Sequence, residues 1–270
     1  MEDRLKNLFN EIVATLREDI SRQGREIDPL QYVEDETKRW QEARKDENGI
    51  WFSVLLQMLR FGFPNYQYSH EKQSLLREHL GDFTALAQLE DKDKKKLVEI
   101  EELELNLQRV RSVCKNARTM TMLQRDFGSA VDLVESFESE QDLADGIEEM
   151  FSYMKGSAGI EFTREMGWKK PGSSSSVRRV ISRMNDLVDG SLDIEGIRNV
   201  IQGMADATGK DPEAIDFLLE LFASGDDRIG LSPICDVNFA CYRCQVSDAQ
   251  CEERRYEFGT AKEIVREDEE

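Results

Sequence analysis

The chain has 270 residues, with 36 Lys and Arg against 55 Asp and Glu, and its formal net charge is −19 at pH 7. Such acidity argues against a generally basic surface that binds nucleic acid by releasing counterions from phosphates. No uncharged apolar run approaches the roughly 18 residues of a membrane span, and the charged first residues do not read as a secretion signal. We therefore expect an intracellular protein that neither enters a membrane nor is secreted.

Apolar residues recur every three or four positions along most of the chain, which predicts an all-α fold. The first amphipathic helix contains Leu5 and Leu16, and a second, more apolar one runs from Ile50 to Leu59. Asp211 followed by Pro212 is typical of a helix start, because Asp caps the first amides and Pro fits the first turn. Further helices are predicted over residues 71–80, 94–122, 130–137, 140–154, 160–166, 174–187, 194–207 and 211–223.

Three segments interrupt the helical pattern: an aromatic turn at 61–66, a Gly-, Ser- and Lys-rich stretch at 154–176, and a cysteine-rich stretch at 233–251. The last holds Cys235, Cys241, Cys244 and Cys251, spaced C-x5-C-x2-C-x6-C, whereas Cys114 lies in a helix far upstream. Four thiols this close, without an export signal, indicate a metal site rather than disulfides. One CxxC flanked by single cysteines favours a [4Fe-4S] cluster over zinc, which usually takes paired CxxC motifs.

The helix at 211–223 and the cysteine loop after it resemble the end of the iron–sulfur members of the helix-hairpin-helix DNA glycosylase superfamily, the endonuclease III and MutY type. Those proteins carry C-x6-C-x2-C-x5-C, so this chain shares the span and the central CxxC but exchanges the outer spacings. The resemblance implies that the four cysteines bind a [4Fe-4S] cluster.

Residues 151–167 read as helix, Gly-containing turn and helix, and are similar to the hairpin of that superfamily, with 154–158 in place of its L-P-G-V-G. Small residues let a DNA backbone come close, and amides at the start of the second helix point at a phosphate. The segment 168–185 resembles the Gly/Pro-rich loop and the helix that follow the hairpin. The DNA contacts implied by this resemblance involve Lys155, Gly156, Ser157, Ala158, Gly159, Lys169, Lys170, Arg178 and Arg179.

The catalytic residues of the superfamily are not found at their usual places. Ser174 stands where the loop aspartate would be, and Ile160 and Glu161 surround the place of the lyase Lys. A serine lacks the full negative charge that stabilises a cationic sugar as the base leaves. Ser174 and Glu161 are therefore the nearest candidates, and whether the chain is an enzyme stays open.

Two further segments match the superfamily in position. The aromatic turn lies where a loop inserts a side chain into the base stack, so Phe63 and Tyr66, with Tyr68, are candidates for stacking on a base. The helix before the hairpin carries Arg109 and Arg118, which we interpret as salt-bridged surface residues.

Together these features predict two interleaved helical domains. Residues 1–48 and 174–270 would form a terminal domain with the cluster loop at 235–251. Residues 49–173 would form a helical-barrel domain ending in the hairpin at about 145–167. The resemblance implies a monomeric, cytoplasmic or nucleoid-associated repair protein that binds double-stranded DNA around a damaged or modified base, and it leaves open whether the protein hydrolyses the N-glycosidic bond.

Three alternatives stay open at this point. The protein could bind lesions without catalysis, or it could act on free nucleosides or nucleotides with a glycosylase fold. It could also be a helical electron-transfer or zinc-scaffold protein without a role on DNA. The charge distribution favours DNA, because residues 155–183 carry a net charge of +5 and the rest of the chain −24.

Overall fold

The computed structural model describes residues 2–60, 70–184, 187, 193–226, 228–238, 240–247 and 250–251. Over these residues it contains α-helices, two short 3-10 turns at Glu101–Leu103 and Cys241–Arg243, and isolated β-bridges but no strand, which confirms the all-α prediction. None of the helices described is long and apolar enough to cross a membrane. The helices are α1 Glu2–Arg22, α2 Pro29–Ala43, α3 Glu47–Arg60, α4 His70–Leu80, α5 Phe83–Ala87, α6 Asp91–Val98, α7 Leu107–Phe127, α8 Ala130–Ser136, α9 Glu140–Met150, α10 Ser157–Glu165, α11 Ser175–Arg183, α12 Ile194–Thr208 and α13 Pro212–Ser224.

The chain divides into two compact units, one formed by residues 1–36 and 170–270 and the other by residues 37–169. In the first unit, α1 buries one apolar stripe against α12, and α13 packs against both α11 and α12. Asp211 caps α13 by accepting a hydrogen bond from the backbone N–H of Glu213, and Pro212 occupies the first turn, as the sequence predicts.

The second unit is built around α3, whose residues from Ile50 to Leu59 are almost all buried. Such an all-round apolar helix belongs in the centre of a core rather than at its edge. Trp51 on α3 also contacts the next helix, because its indole N–H donates to the carbonyl of Leu80 at the end of α4 at 2.7 Å. Helix α7 lies along α5, α6 and α8 in the same unit.

One helix that the sequence predicts as continuous is divided in the structure. The predicted helix over 94–122 is divided, because Glu104 adopts a left-handed conformation with φ of 53° that ends a 3-10 turn. Asn106 then starts α7 as its cap, accepting from the Arg109 N–H. The boundaries between units fall after Glu36 and Lys169, whereas the sequence placed them near 48 and 173.

Candidate nucleic-acid interface

The predicted hairpin is present as α9, a six-residue connection and α10. Phe151 and Met154 anchor the connection in the core, whereas Lys155 and Gly156 are exposed at its tip. Gly156 has φ of +64°, and a Cβ added there would meet nothing within 4 Å. The glycine is therefore required by the backbone conformation and leaves the tip open to a ligand.

Small residues bring the two hairpin helices together. A Cβ on Gly159 would lie 3.1 Å from the Met154 carbonyl oxygen and 3.4 Å from that of Ala144, so a larger residue there would push the two helices apart by a few tenths of an ångström. Ala158 is buried beside it. Of the predicted contact residues, Ala158 and Gly159 thus serve packing, and Lys155 and Gly156 remain on the surface.

The Gly156 amide already contacts an anion. Its N–H donates to the carboxylate of Glu148, which lies in the last turn of α9. A carboxylate oxygen on a backbone amide at the start of a helix is the same chemistry as a phosphate oxygen there. The sequence offered no sign of this contact, because Glu148 belongs to a helix with many acidic residues.

Helix α7 holds the hairpin connection through a buried amide. Asn116 is fully buried, accepts from the Ser152 N–H at 2.8 Å and donates to the Ser152 carbonyl at 3.0 Å. Arg109 lies 4.0 Å from the centre of the Tyr153 ring and donates to the Met58 carbonyl at 2.8 Å. The interpretation of Arg109 as a salt-bridged surface residue is wrong, because its side chain is buried and its guanidinium satisfies a core carbonyl.

The other end of α10 carries a buried ion pair. The two guanidinium nitrogens of Arg39 donate to the two carboxylate oxygens of Glu165 at 3.0 and 2.6 Å, and the Gln57 amide donates to the same carboxylate at 2.6 Å. Arg44 donates to the Glu165 carbonyl at 2.7 Å and to the Arg164 carbonyl at 3.2 Å, which caps the helix end. This helix is therefore fixed at both ends.

Glu161 is, with Ser174, one of the two candidate catalytic residues. It faces a cation on its own helix. Its carboxylate accepts from Arg164 at 3.0 and 3.1 Å, and its side chain is 32% exposed. The structure gives it the role of an ion-pair partner one turn before Arg164.

A cavity of about 240 Å³ lies beyond the end of α10 in the same unit. Its walls are mostly apolar, and the half-buried indole of Trp168 forms part of them. The lining residues are Arg44, Ile50, Val131, Val134, Glu135, Met166 and Trp168. Pockets for drug-sized ligands start near ~300 Å³, so this one fits something closer to a single planar ring system.

A wider and more polar cavity of about 620 Å³ lies between α3, α4 and α5. Arg77 stacks on the ring of Phe52 at 3.7 Å from its centre, and Glu47 and Gln124 close one side with a 2.7 Å hydrogen bond. Its charged side chains have both signs, which gives it no preference for an anionic ligand.

The Gly/Pro loop belongs to the first unit and begins with a turn in which the Ser173 N–H donates to the Lys170 carbonyl at 3.1 Å. Ser174 caps α11 by accepting from the Ser176 N–H at 3.3 Å. Lys170 and Arg178 are exposed, whereas Arg179 pairs with Asp236. The side chain at the position of the missing aspartate thus has a structural role as a helix cap.

The four clustered cysteines lie on one loop after α13. Cys235 and Cys251 are buried, and Arg183 donates to the Cys235 sulfur at 3.3 Å. The Cys244 N–H donates to the Cys241 carbonyl at 3.0 Å, which closes the CxxC turn. Burial raises the pKa of the Cys235 thiol.

The donor set of this loop suits a thiolate-bound group in its chemistry. In the part of the chain that the structure describes, no cysteine forms a disulfide, and no three Cys, His, Asp or Glu side chains are arranged to hold a metal ion. Four thiols on one loop, with the Arg183 guanidinium beside Cys235, can together bind a metal group through their thiolates only if the loop folds around that group. Such closure is common, because metal binding and folding are coupled.

Several predicted site residues lie outside the described residues. Phe63 and Tyr66, with Tyr68, belong to the segment 61–69, and the side chain of Ser157 also lies outside the described part of the structure. Their predicted roles stay predictions.

Comparison with known proteins supplies the family. The family model for methyladenine glycosylases matches residues 27–164, slightly more than half of the chain. The chain belongs to the methyladenine glycosylase family. This membership gives it a DNA glycosylase-like function in base-excision repair, with DNA as its substrate.

The match covers α2 to α10, including nearly all of the hairpin, and ends before the Gly/Pro loop and the cysteine loop. No curated protein and no solved structure matches this methyladenine glycosylase family member significantly. The iron–sulfur, endonuclease III-like placement made from the cysteine spacing stays a prediction.

Proposed function

We propose that this protein excises a methylated base, methyladenine in the first place, from double-stranded DNA by hydrolysing its N-glycosidic bond. The observation that carries the proposal is one unit holding both the hairpin and, at the end of α10, a small apolar cavity with an indole wall. The hairpin tip would hold the DNA backbone, and the cavity would receive the extruded base. Unstacking a damaged base costs less than unstacking a normal one.

The chemistry of a methylated purine explains how the glycosidic bond could be hydrolysed without the catalytic aspartate that Ser174 replaces. A purine methylated on a ring nitrogen carries a positive charge, so it leaves as a neutral base when the glycosidic bond breaks. Water then adds to the sugar C1′ and loses a proton to solvent. Trp168 would attract the cationic base through the face of its indole ring.

The test of the function is release of free base from duplex DNA treated with dimethyl sulfate. We expect free methyladenine in the supernatant by mass spectrometry, and alkali-labile abasic sites in the DNA. Trp168→Ala should lower the release more than tenfold. No release from any methylated duplex, with selective binding retained, would favour the alternative of a lesion-binding protein without catalysis, which the helix-capping role of Ser174 supports.

The hairpin tip allows a sharper test of the DNA contact. Glu148→Gln replaces the carboxylate that the Gly156 N–H contacts with a neutral amide, so a phosphate competes for this N–H with a weaker, uncharged acceptor. We expect duplex affinity to rise roughly three- to tenfold at low salt and the gain to shrink at high salt. Gel shift or fluorescence anisotropy with an abasic-analogue duplex measures it.

Glu149→Gln is the matched control, because it makes the same change in charge on the next, exposed residue of α9. It should raise affinity by less than about twofold, since the screened charge lies away from the amide. Equal gains in the two variants would mean that net charge, rather than the Gly156 contact, limits binding.

We propose further that Cys235, Cys241, Cys244 and Cys251 hold a [4Fe-4S] cluster, with zinc as the alternative. Support comes from their spacing, their position on one loop and the Arg183 guanidinium beside Cys235. Protein purified anaerobically should be brown and contain about four iron and four sulfide per chain. Cys241→Ser should lose the iron, and Cys114→Ala, which alters the cysteine buried in α7, should keep it. A colourless protein with zinc would overturn the iron–sulfur assignment.

A further inference from the structure

Helix α7 carries a stripe of basic residues on its exposed face. Residues 105–125 include five Lys and Arg and no Asp or Glu, although acidic residues outnumber basic ones by 55 to 36 in the whole chain. Arg111, Lys115 and Arg118 follow each other at intervals of four and three residues, so they share one face of the helix. All three are exposed, and we call them the basic stripe.

The basic stripe differs from the other surface cations of the same unit in its partners. Several of those cations pair with carboxylates a few residues away: Lys45 with Glu42, Lys92 with Glu90, and Lys96 with Asp93. Among the residues that the structure describes, Arg111 and Lys115 form no hydrogen bond or ion pair through their side chains. Arg118 donates to the Ala87 carbonyl at 2.9 Å, which fixes its side chain but does not neutralise its charge.

The carboxylate of Asp91 on α6 approaches the basic stripe but already has a partner. Lys94 donates to it at 2.9 Å. This hydrogen bond, followed by the charges of Lys94 and Arg111, lowers the pKa of the Asp91 carboxyl. Two cations thus share one anion, so the three side chains together remain positively charged.

The basic stripe begins next to the hairpin connection, in the same compact unit. Gln108 of α7 donates to the Tyr153 hydroxyl in that connection at 3.2 Å, and Arg111 follows Gln108 by three residues. Residues three apart on a helix have Cβ atoms about 5–6 Å from each other. Arg111 is therefore a neighbour of the connection whose tip carries the exposed Lys155.

The two helices that hold the connection have opposite charges. Helix α9, which leads into it, has five acidic residues and no basic one, whereas α7 has five basic residues and one acidic. A DNA strand that contacts the hairpin tip is therefore repelled along α9 and attracted along α7. The charges favour a single direction in which the duplex can continue from the tip.

We propose that the exposed face of α7 is a second contact for the phosphate backbone of double-stranded DNA, in which Arg111 and Lys115 extend the contact of the hairpin tip. The inference rests on the duplex binding that the proposed function requires, and it is independent of which base is excised. Because the contact involves phosphates, it positions the duplex without reading its sequence.

The salt dependence of binding tests this contact, with a duplex that contains an abasic-site analogue. Each phosphate contact releases counterions, so affinity measured by fluorescence anisotropy falls as salt rises. The double variant Arg111→Gln/Lys115→Gln should lower the slope of log affinity against log salt by about 1.8, or roughly 0.9 for each contact. At about 0.1 M salt we expect it to bind about tenfold more weakly than wild-type protein.

Lys45→Gln/Lys96→Gln is the matched control, because it removes two exposed positive charges from the same unit, each of which already pairs with a carboxylate. It should keep the wild-type slope. Denaturation followed by circular dichroism should give both double variants nearly wild-type stability, because all four side chains are exposed. Equal losses of slope in the two would mean that net charge, rather than the face of α7, governs binding, and would overturn the proposal.

The outcomes separate this inference from the proposed function. If wild-type protein releases methylated bases and Arg111→Gln/Lys115→Gln keeps the wild-type slope, the contact on α7 is overturned and the glycosylase proposal stands. If wild-type protein binds the duplex but releases no base, the glycosylase proposal fails, and the change in slope still decides the contact. A wild-type protein that does not bind the duplex overturns both.

Discussion

Glu165→Gln lowers the free energy of unfolding by about 3–5 kcal/mol, because it removes the carboxylate charge that the buried Arg39 guanidinium binds. Both side chains of the pair are almost fully buried, so water cannot replace the lost carboxylate. Chemical denaturation of the whole chain, followed by circular dichroism, measures the change.

Glu161→Gln provides the control on the same helix. Its pair with Arg164 is also a Glu–Arg pair with a buried guanidinium, but the Glu161 carboxylate is 32% exposed, so water takes over part of its contact when the charge is lost. Partly exposed pairs contribute little, so the expected loss is about 1 kcal/mol or less. Similar losses in the two variants would show that the Arg39–Glu165 pair is not desolvated in solution. Hydrogen exchange of the α10 amides should accelerate only in Glu165→Gln, because that pair anchors the end of the hairpin.

Asn116→Leu lowers the free energy of unfolding by about 2–4 kcal/mol and weakens DNA binding. The substitution removes two hydrogen bonds to Ser152 and leaves its N–H and carbonyl without these partners, at about 1–3 kcal/mol for each unsatisfied group. Because Ser152 lies in the connection between α9 and α10, the hairpin tip loses its fixed position. We expect duplex affinity to fall by about tenfold even where the protein remains folded.

Asn106→Ala separates the two effects. Asn106 caps the start of α7, the helix that also carries Asn116, and accepts from the Arg109 N–H at 2.9 Å. Loss of a helix cap costs about 1 kcal/mol, and the hairpin connection keeps its contacts. Denaturation should therefore detect Asn106→Ala, whereas anisotropy with a duplex should not. A matching loss of affinity would mean that stability of α7 alone governs DNA binding.

Local sequence patterns were sufficient to predict most of the helices and the hairpin turn, because helices and turns depend on residues a few positions apart. The spacing of apolar residues predicts α1, α3 and α13, and Gly156 predicts the turn between the hairpin helices. The same patterns failed where the backbone departs from them locally, as at Glu104, whose left-handed conformation divides a helix that periodicity alone continues.

The sequence by itself determined the all-α class, the hairpin and the clustering of four thiols, since each is written in short-range spacing. The contacts of the candidate site came only from the tertiary structure. Asn116 lies 36 residues from Ser152, and Arg39 lies 126 residues from Glu165. No local pattern marks such partners, because burial and packing decide which polar side chains meet. A buried charge or amide needs a partner, and the fold alone supplies it.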